Sequence, residues 1–136
     1  MTTYYDLESA TGMLDRVRPM IEGLREQRAE VARLTERLRA AEADEGVDPA
    51  VASVLRARIR AIVDQMEGAV GRLDDWGIVL RDIRSGLLDF PALVEGRRVW
   101  LCWRLGEDAV AWWHETTTGF EGRQPASELT RSGRTT

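Results

Sequence analysis

Residues 86–104 read GLLDFPALVEGRRVWLCWR, and this stretch decides the fold. Apolar and polar side chains alternate on both sides of Glu95-Gly96, a dipeptide suited to the centre of a two-residue hairpin turn. Folding the stretch there sets Leu88 opposite Trp103, Asp89 opposite Cys102 and Phe90 opposite Leu101. One face then collects Leu88, Phe90, Ala92, Val99, Leu101 and Trp103, and the other Leu87, Asp89, Pro91, Trp100, Cys102 and Arg104.

Outward from this hairpin, Ile78–Ile83 reads as a preceding strand and Ala109–Glu115 as a following one. A second two-residue turn at Gly106-Glu107 predicts Trp103 opposite Val110, Cys102 opposite Ala111, Leu101 opposite Trp112 and Trp100 opposite Trp113. In that register Val110, Trp112 and His114 join the apolar face, which is expected to lie on the helices. Ala109, Ala111, Trp113 and Glu115 join the mixed outer face. Cys102 and His114 then point to opposite sides. A three-residue loop at Gly106–Asp108 would shift the register by one and put them diagonally on one face.

The chain before Trp76 is helical. No aromatic residue falls between Asp6 and Asp75, whereas seven of the nine aromatics fall between Trp76 and Phe120. Asp6 is placed to cap a short helix beginning at Leu7. Pro19 fits the first turn of a new helix or a kink. Ile21, Leu24, Val31, Leu34, Leu38 and Ala41 recur at helical steps. After Gly46 and the Asp48-Pro49 start signal, so do Leu55, Ile59, Ile62, Met66, Ala69, Leu73 and Trp76. The 3.5-residue spacing predicts an antiparallel coiled-coil-like seam. Gly77 is expected to end the second helix in a left-handed cap. The expected fold class is therefore α+β, a long antiparallel helical hairpin packed on a β-meander of about four strands. A single domain is expected over 1–136: hairpin 1–77, sheet 78–118, and an irregular tail 119–136 that frays after about residue 127. In the tail, Phe120 is expected to cover an edge and Arg123 to pair with a carboxylate.

Composition narrows the function classes. The 19 basic and 23 acidic residues leave a net charge of −4, which argues against a nucleic-acid binder. All the basic residues are Arg, with no Lys and no Asn, in keeping with a GC-rich genome. One Cys makes no internal disulfide, and neither a signal peptide nor a membrane helix is legible, so a cytoplasmic location is expected. The helices, roughly 40 Å long, carry more apolar surface than a small sheet covers. A homodimer through the helices is therefore expected.

Candidate ligand- or partner-binding residues are Asp89, Trp100, Cys102, Arg104, Trp113 and Arg123. Trp100 and Trp113 would stand as a cross-strand pair, with the Asp89 carboxylate beside Arg104 and the Cys102 thiol. One Cys, one His and scattered carboxylates lack the paired spacing of a zinc site. The alternative metal set is Asp89, Glu107 and His114. A lone His is more often a structural hydrogen-bonding group, and a lone Cys a small hydrophobe. No catalytic set, Gly-rich phosphate loop or HExxH motif stands in the chain, and no cofactor is expected. The acidic hairpin tip, Glu42, Asp44, Glu45 and Asp48, resembles in shape that of factors entering the secondary channel of bacterial RNA polymerase. Helix-capping chemistry explains the same residues.

Gly86-Leu87-Leu88-Asp89-Phe90-Pro91, Leu101-Cys102-Trp103, Gly106-Glu107, Trp113-His114 and Gly119-Phe120 through Gly122-Arg123 together resemble the signature of a bacterial family, domain of unknown function 2203. The likeness extends to Tyr5–Ala10 and the hairpin. It implies the family's fold and supplies no activity. It also implies that Asp89, Cys102, Glu107, His114 and Arg123 belong to the family pattern. Three functions follow as expectations: a non-enzymatic homodimeric interaction or scaffold protein with an unknown partner; a small-ligand or metal-binding protein, enzymatic or not, using those five residues; and a polymerase-channel factor.

Overall fold

The computed structural model describes residues 3–127. The expected fraying after about residue 127 concerns residues outside that range. Three helices precede the sheet: α1 (Leu7–Gly12), α2 (Leu14–Ala43) and α3 (Pro49–Asp75). Asp6 caps α1 in a reciprocal box with Ser9: its carboxylate accepts the Ser9 N–H at 2.7 Å, and the Ser9 hydroxyl accepts the Asp6 N–H at 2.9 Å. Pro19 lies inside α2, which begins five residues earlier at Leu14, so it starts no helix of its own. Asp48 caps α3 through the Ala50 N–H, and Pro49 occupies the first turn.

At the far end of α3, Gly77 has φ 75°; its N–H reaches the Asp74 carbonyl, and the Ile78 N–H reaches that of Leu73. This paired closure satisfies the last carbonyls and turns the chain into the sheet.

The sheet is antiparallel with five strands in sequential order: β1 (Val79–Asp82), β2 (Leu87–Val94), β3 (Arg97–Arg104), β4 (Trp112–Glu115) and β5 (Gln124–Pro125). The β2–β3 hairpin has the register its sequence predicts, with Asp89 opposite Cys102 and Phe90 opposite Leu101. Glu95 and Gly96 both have positive φ, the backbone of a two-residue turn whose twist matches the strands. Pro91 is tolerated because β1 stops short of it; its carbonyl accepts the Tyr5 N–H instead.

The β3–β4 register differs by one residue from the expectation. Trp100 pairs with His114, Leu101 with Trp113 and Cys102 with Trp112. The strand begins at Trp112, three residues later than expected. Val110 leaves the ladder, donating its N–H to the Thr11 hydroxyl of α1 and burying its side chain in the core. The Glu107 carboxylate accepts the Arg104 N–H at 2.7 Å, and its carbonyl accepts Trp103 Nε1–H, so the turn is held by contacts that a two-residue hairpin lacks. Because side chains alternate, the one-residue shift turns β4 over. Trp113 is buried in the core, while Trp112 and His114 lie on the outer face. The expected Trp100–Trp113 pair does not form.

Leu88, Phe90, Leu101, Trp103 and Trp113 pack with Leu14, Val17, Ile21 and Leu24 of α2 and Leu73 of α3. Each fully buried aliphatic or aromatic side chain stabilises the fold by about 1.5–3 kcal/mol. Farther along the hairpin the helices pack only on each other, through Leu34, Ala52 and Leu55, among the described residues. The tail is more regular than expected. A 3-10 turn (Phe120–Gly122) and β5 fold it back along β4, and the Ala126 N–H closes on the Ala111 carbonyl.

Candidate metal centre

Three neighbouring strands each deliver one polar side chain to the outer face. Asp89 comes from β2, Cys102 stands directly opposite it on β3, and His114 lies diagonally across on β4. All three are buried, at 1%, 0% and 4% exposure, so none is screened by bulk water. One ligand atom from each, a carboxylate oxygen, the thiol sulfur and an imidazole nitrogen, lies within 4.8 Å of the other two. Ligands around a tetrahedral zinc at 2.0–2.3 Å stand about 3.3–3.7 Å apart, so small side-chain adjustments accommodate the ion.

The imidazole orientation is fixed from behind. His114 Nδ1 lies 2.8 Å from the Glu115 carbonyl. A carbonyl only accepts, so the Nδ1 proton is assigned there and Nε2 faces the site. Nε2 sits 3.0 Å from both carboxylate oxygens of Asp89. Two groups with facing lone pairs need a positive centre between them: an added proton or a shared cation. The backbone-anchored imidazole is the arrangement that orients histidine ligands in metal sites.

The thiol supplies the second electrostatic signal. Burial first, and then the Asp89 charge, push the Cys102 pKa up to about 12, with Arg123 acting in the opposite direction. A divalent cation inverts that balance, because it stabilises the thiolate directly and neutralises Asp89.

Arg81 completes the inner charges. The β1–β2 register shifts between Leu80 and Asp82, and this bulge sets Arg81 on the outer side, where its Nε donates to Asp89 Oδ2 at 2.8 Å. Its guanidinium lies 4.9 Å from the Trp100 ring. A cavity of about 310 Å3 opens above the three ligands. Arg81, Trp100, Thr116, Thr118 and Phe120 also line it.

Asp89, Trp100 and Cys102 are thus brought together as the sequence predicts. Arg104 instead stacks on Phe120, 5.4 Å from its ring, and the guanidinium on Asp89 is Arg81's. Trp113 faces the core. Arg123 lies between Trp112 and Phe120, at 4.3 and 4.5 Å, and pairs with Glu107 at 2.5 Å. Glu107 therefore takes no part in the cluster; in the expected metal set Cys102 replaces it. Cys102 and His114 share a face, contrary to the two-residue-turn expectation. Arg81, Thr116 and Thr118 carried no signal in the sequence, since the bulge that aims Arg81 and the fold-back of the tail are tertiary features.

A helical hairpin on one side of a β-meander and a buried Asp–Cys–His cluster on the other define an α+β protein with a candidate metal centre. The chain belongs to the family described as "Uncharacterized conserved protein (DUF2203)", whose model matches residues 3–126. No curated protein and no solved structure matches the chain.

Proposed function

We propose that this protein binds one divalent transition-metal ion, zinc being the best match, through Asp89, Cys102 and His114. The observation that carries the proposal is the imidazole held by its Nδ1–H on the Glu115 carbonyl, with Nε2 aimed at a carboxylate and a thiol. A sulfur, nitrogen and oxygen donor set favours zinc, cobalt or iron over magnesium or calcium. Three protein ligands would leave a further coordination position, and all three line the cavity. Such a position lets the ion act as a Lewis acid on a bound molecule.

The test is metal analysis of the purified chain together with cobalt titration of chelator-treated protein. One zinc per chain and a sulfur-to-cobalt charge-transfer band are expected. Cys102→Ser should remove the band and weaken binding by more than the roughly 10–100-fold typical of losing an outer partner. Protein that takes up no cobalt, and is equally stable with and without chelator, would overturn the proposal.

A second reading concerns the hairpin. Val31, Val63, Met66 and Val70 line an apolar groove of about 430 Å3, with Arg28 on its rim near Glu67 and Asp74. We infer that a second copy covers this face, with the Arg28 of each chain set against the acids of the other. Light scattering should give twice the chain mass. A monomer throughout the micromolar range would sink this reading. The acidic tip supports no comparable one. Glu42 pairs with Arg56, while Asp44 and Asp48 accept backbone N–H groups of their own turn.

A further inference from the structure

Resting on the metal reading above, we propose that the cavity takes a small monocarboxylate, one oxygen on the ion and the other on Arg81. Charge makes the first argument. A divalent ion, the Asp89 carboxylate, the Cys102 thiolate, a neutral imidazole and the Arg81 guanidinium sum to one net positive charge. Glu107 and Arg123 cancel each other. That residual charge is the half-exposed Arg81 guanidinium at the edge of the cavity, and it favours a single anionic ligand over a neutral one.

Geometry makes the second argument. Arg81 spends only Nε on Asp89, and its terminal nitrogens have no hydrogen-bond partner among the described residues. Asp89 Oδ2 touches both that Nε, at 2.8 Å, and His114 Nε2, at 3.0 Å. The guanidinium therefore abuts the ligand cluster, its fork held in place against Trp100. A planar carboxylate matches a guanidinium edge beside a metal ion. Size and lining make the third. At about 310 Å3 the cavity is at the small end of the range for ligand sites, and Leu87, Trp100 and Phe120 offer apolar contact to a short carbon chain.

The experiment uses the full chain loaded with cobalt and titrated with propionate, its neutral isostere propionamide, and inorganic phosphate, reading the cobalt absorption bands. Propionate should shift the bands saturably, and propionamide should bind at least about tenfold more weakly. Arg81→Gln, which keeps a donor for Asp89, should retain the charge-transfer band and lose about tenfold or more in propionate affinity. Arg81→Lys should recover part of that loss. A cobalt spectrum that ignores propionate overturns the carboxylate proposal and leaves the metal reading standing. So does equal binding of acid and amide, or tighter binding of phosphate than of propionate. Absence of any charge-transfer band overturns the metal reading, and the carboxylate proposal falls with it.

Discussion

Cys102 is a fully buried thiol beside a carboxylate, and its chemistry follows from that position. With the pKa pushed up to about 12, the metal-free folded protein holds it neutral at ordinary pH. An unfolded cysteine titrates near 8.5. At pH 8 in chelator, alkylation by iodoacetamide should therefore be about three orders of magnitude slower in the native protein than in urea. The native rate should keep rising toward pH 12. The sign for stability is equally fixed: a thiol pKa raised on folding stabilises below about 9, and that contribution is lost as pH climbs toward 12. Native and unfolded rates that coincide would contradict the burial on which both effects rest. Arg81 has the reverse character, with a half-exposed guanidinium tied to the cluster by one nitrogen. Its position is decided by a single bulged residue in β1.

At the scale of elements, the joint between the first hairpin of the sheet and α2 has no tolerance. Gly86 adopts φ +69°, and a methyl group there would meet Leu105 Cβ at 2.6 Å and Ile21 Cγ2 at 2.9 Å. Gly86→Ala combines a left-handed strain of about 1–2 kcal/mol with overpacking of about 1–3 kcal/mol. A loss of about 2–5 kcal/mol is expected in urea unfolding, whereas the open position of Gly96 should tolerate the same change at roughly the backbone cost alone. The two hairpins also show what was legible in the sequence. Glu95-Gly96 sits between strands whose alternation permits one register, and α1 and α3 carry their caps in plain view at Asp6, Asp48 and Gly77. Trp112-Trp113 places an indole at either phase of β4, so hydrophobic alternation does not choose between the two registers. The observed register goes with contacts outside the strand pair, among them the Thr11 hydroxyl that accepts the Val110 N–H from 99 residues away. Asp89, Cys102 and His114 were recognisable as candidates, and the meeting of Cys102 and His114 on one face was legible only as the alternative of a three-residue loop, whose register the structure adopts.

At the scale of the molecule, the sheet is covered differently on its two sides. Helices bury the apolar face, and the polar face is roofed by residues 116–123, clamped where Arg123 joins Glu107, Trp112 and Phe120. The helices outrun the sheet, and Gln27 and Gln65 bridge them with a side-chain hydrogen bond beyond the sheet core. The surplus helix length is the physical basis of the dimer prediction, and the roof is the basis of a small ligand cavity. The surplus was legible in the helical periodicity, whereas the roof was not, because it depends on where the chain returns.

The extra residue in the connection from β3 to β4 means that the cluster is specified by arithmetic as well as by residue type. Delete one position between Leu105 and Ala111, and every side chain of the cluster is still encoded. The strand would nevertheless present an indole where the imidazole now stands, and the imidazole would turn toward the helices. Within this fold, the length of one short connection is as much a part of the site as the three residues themselves.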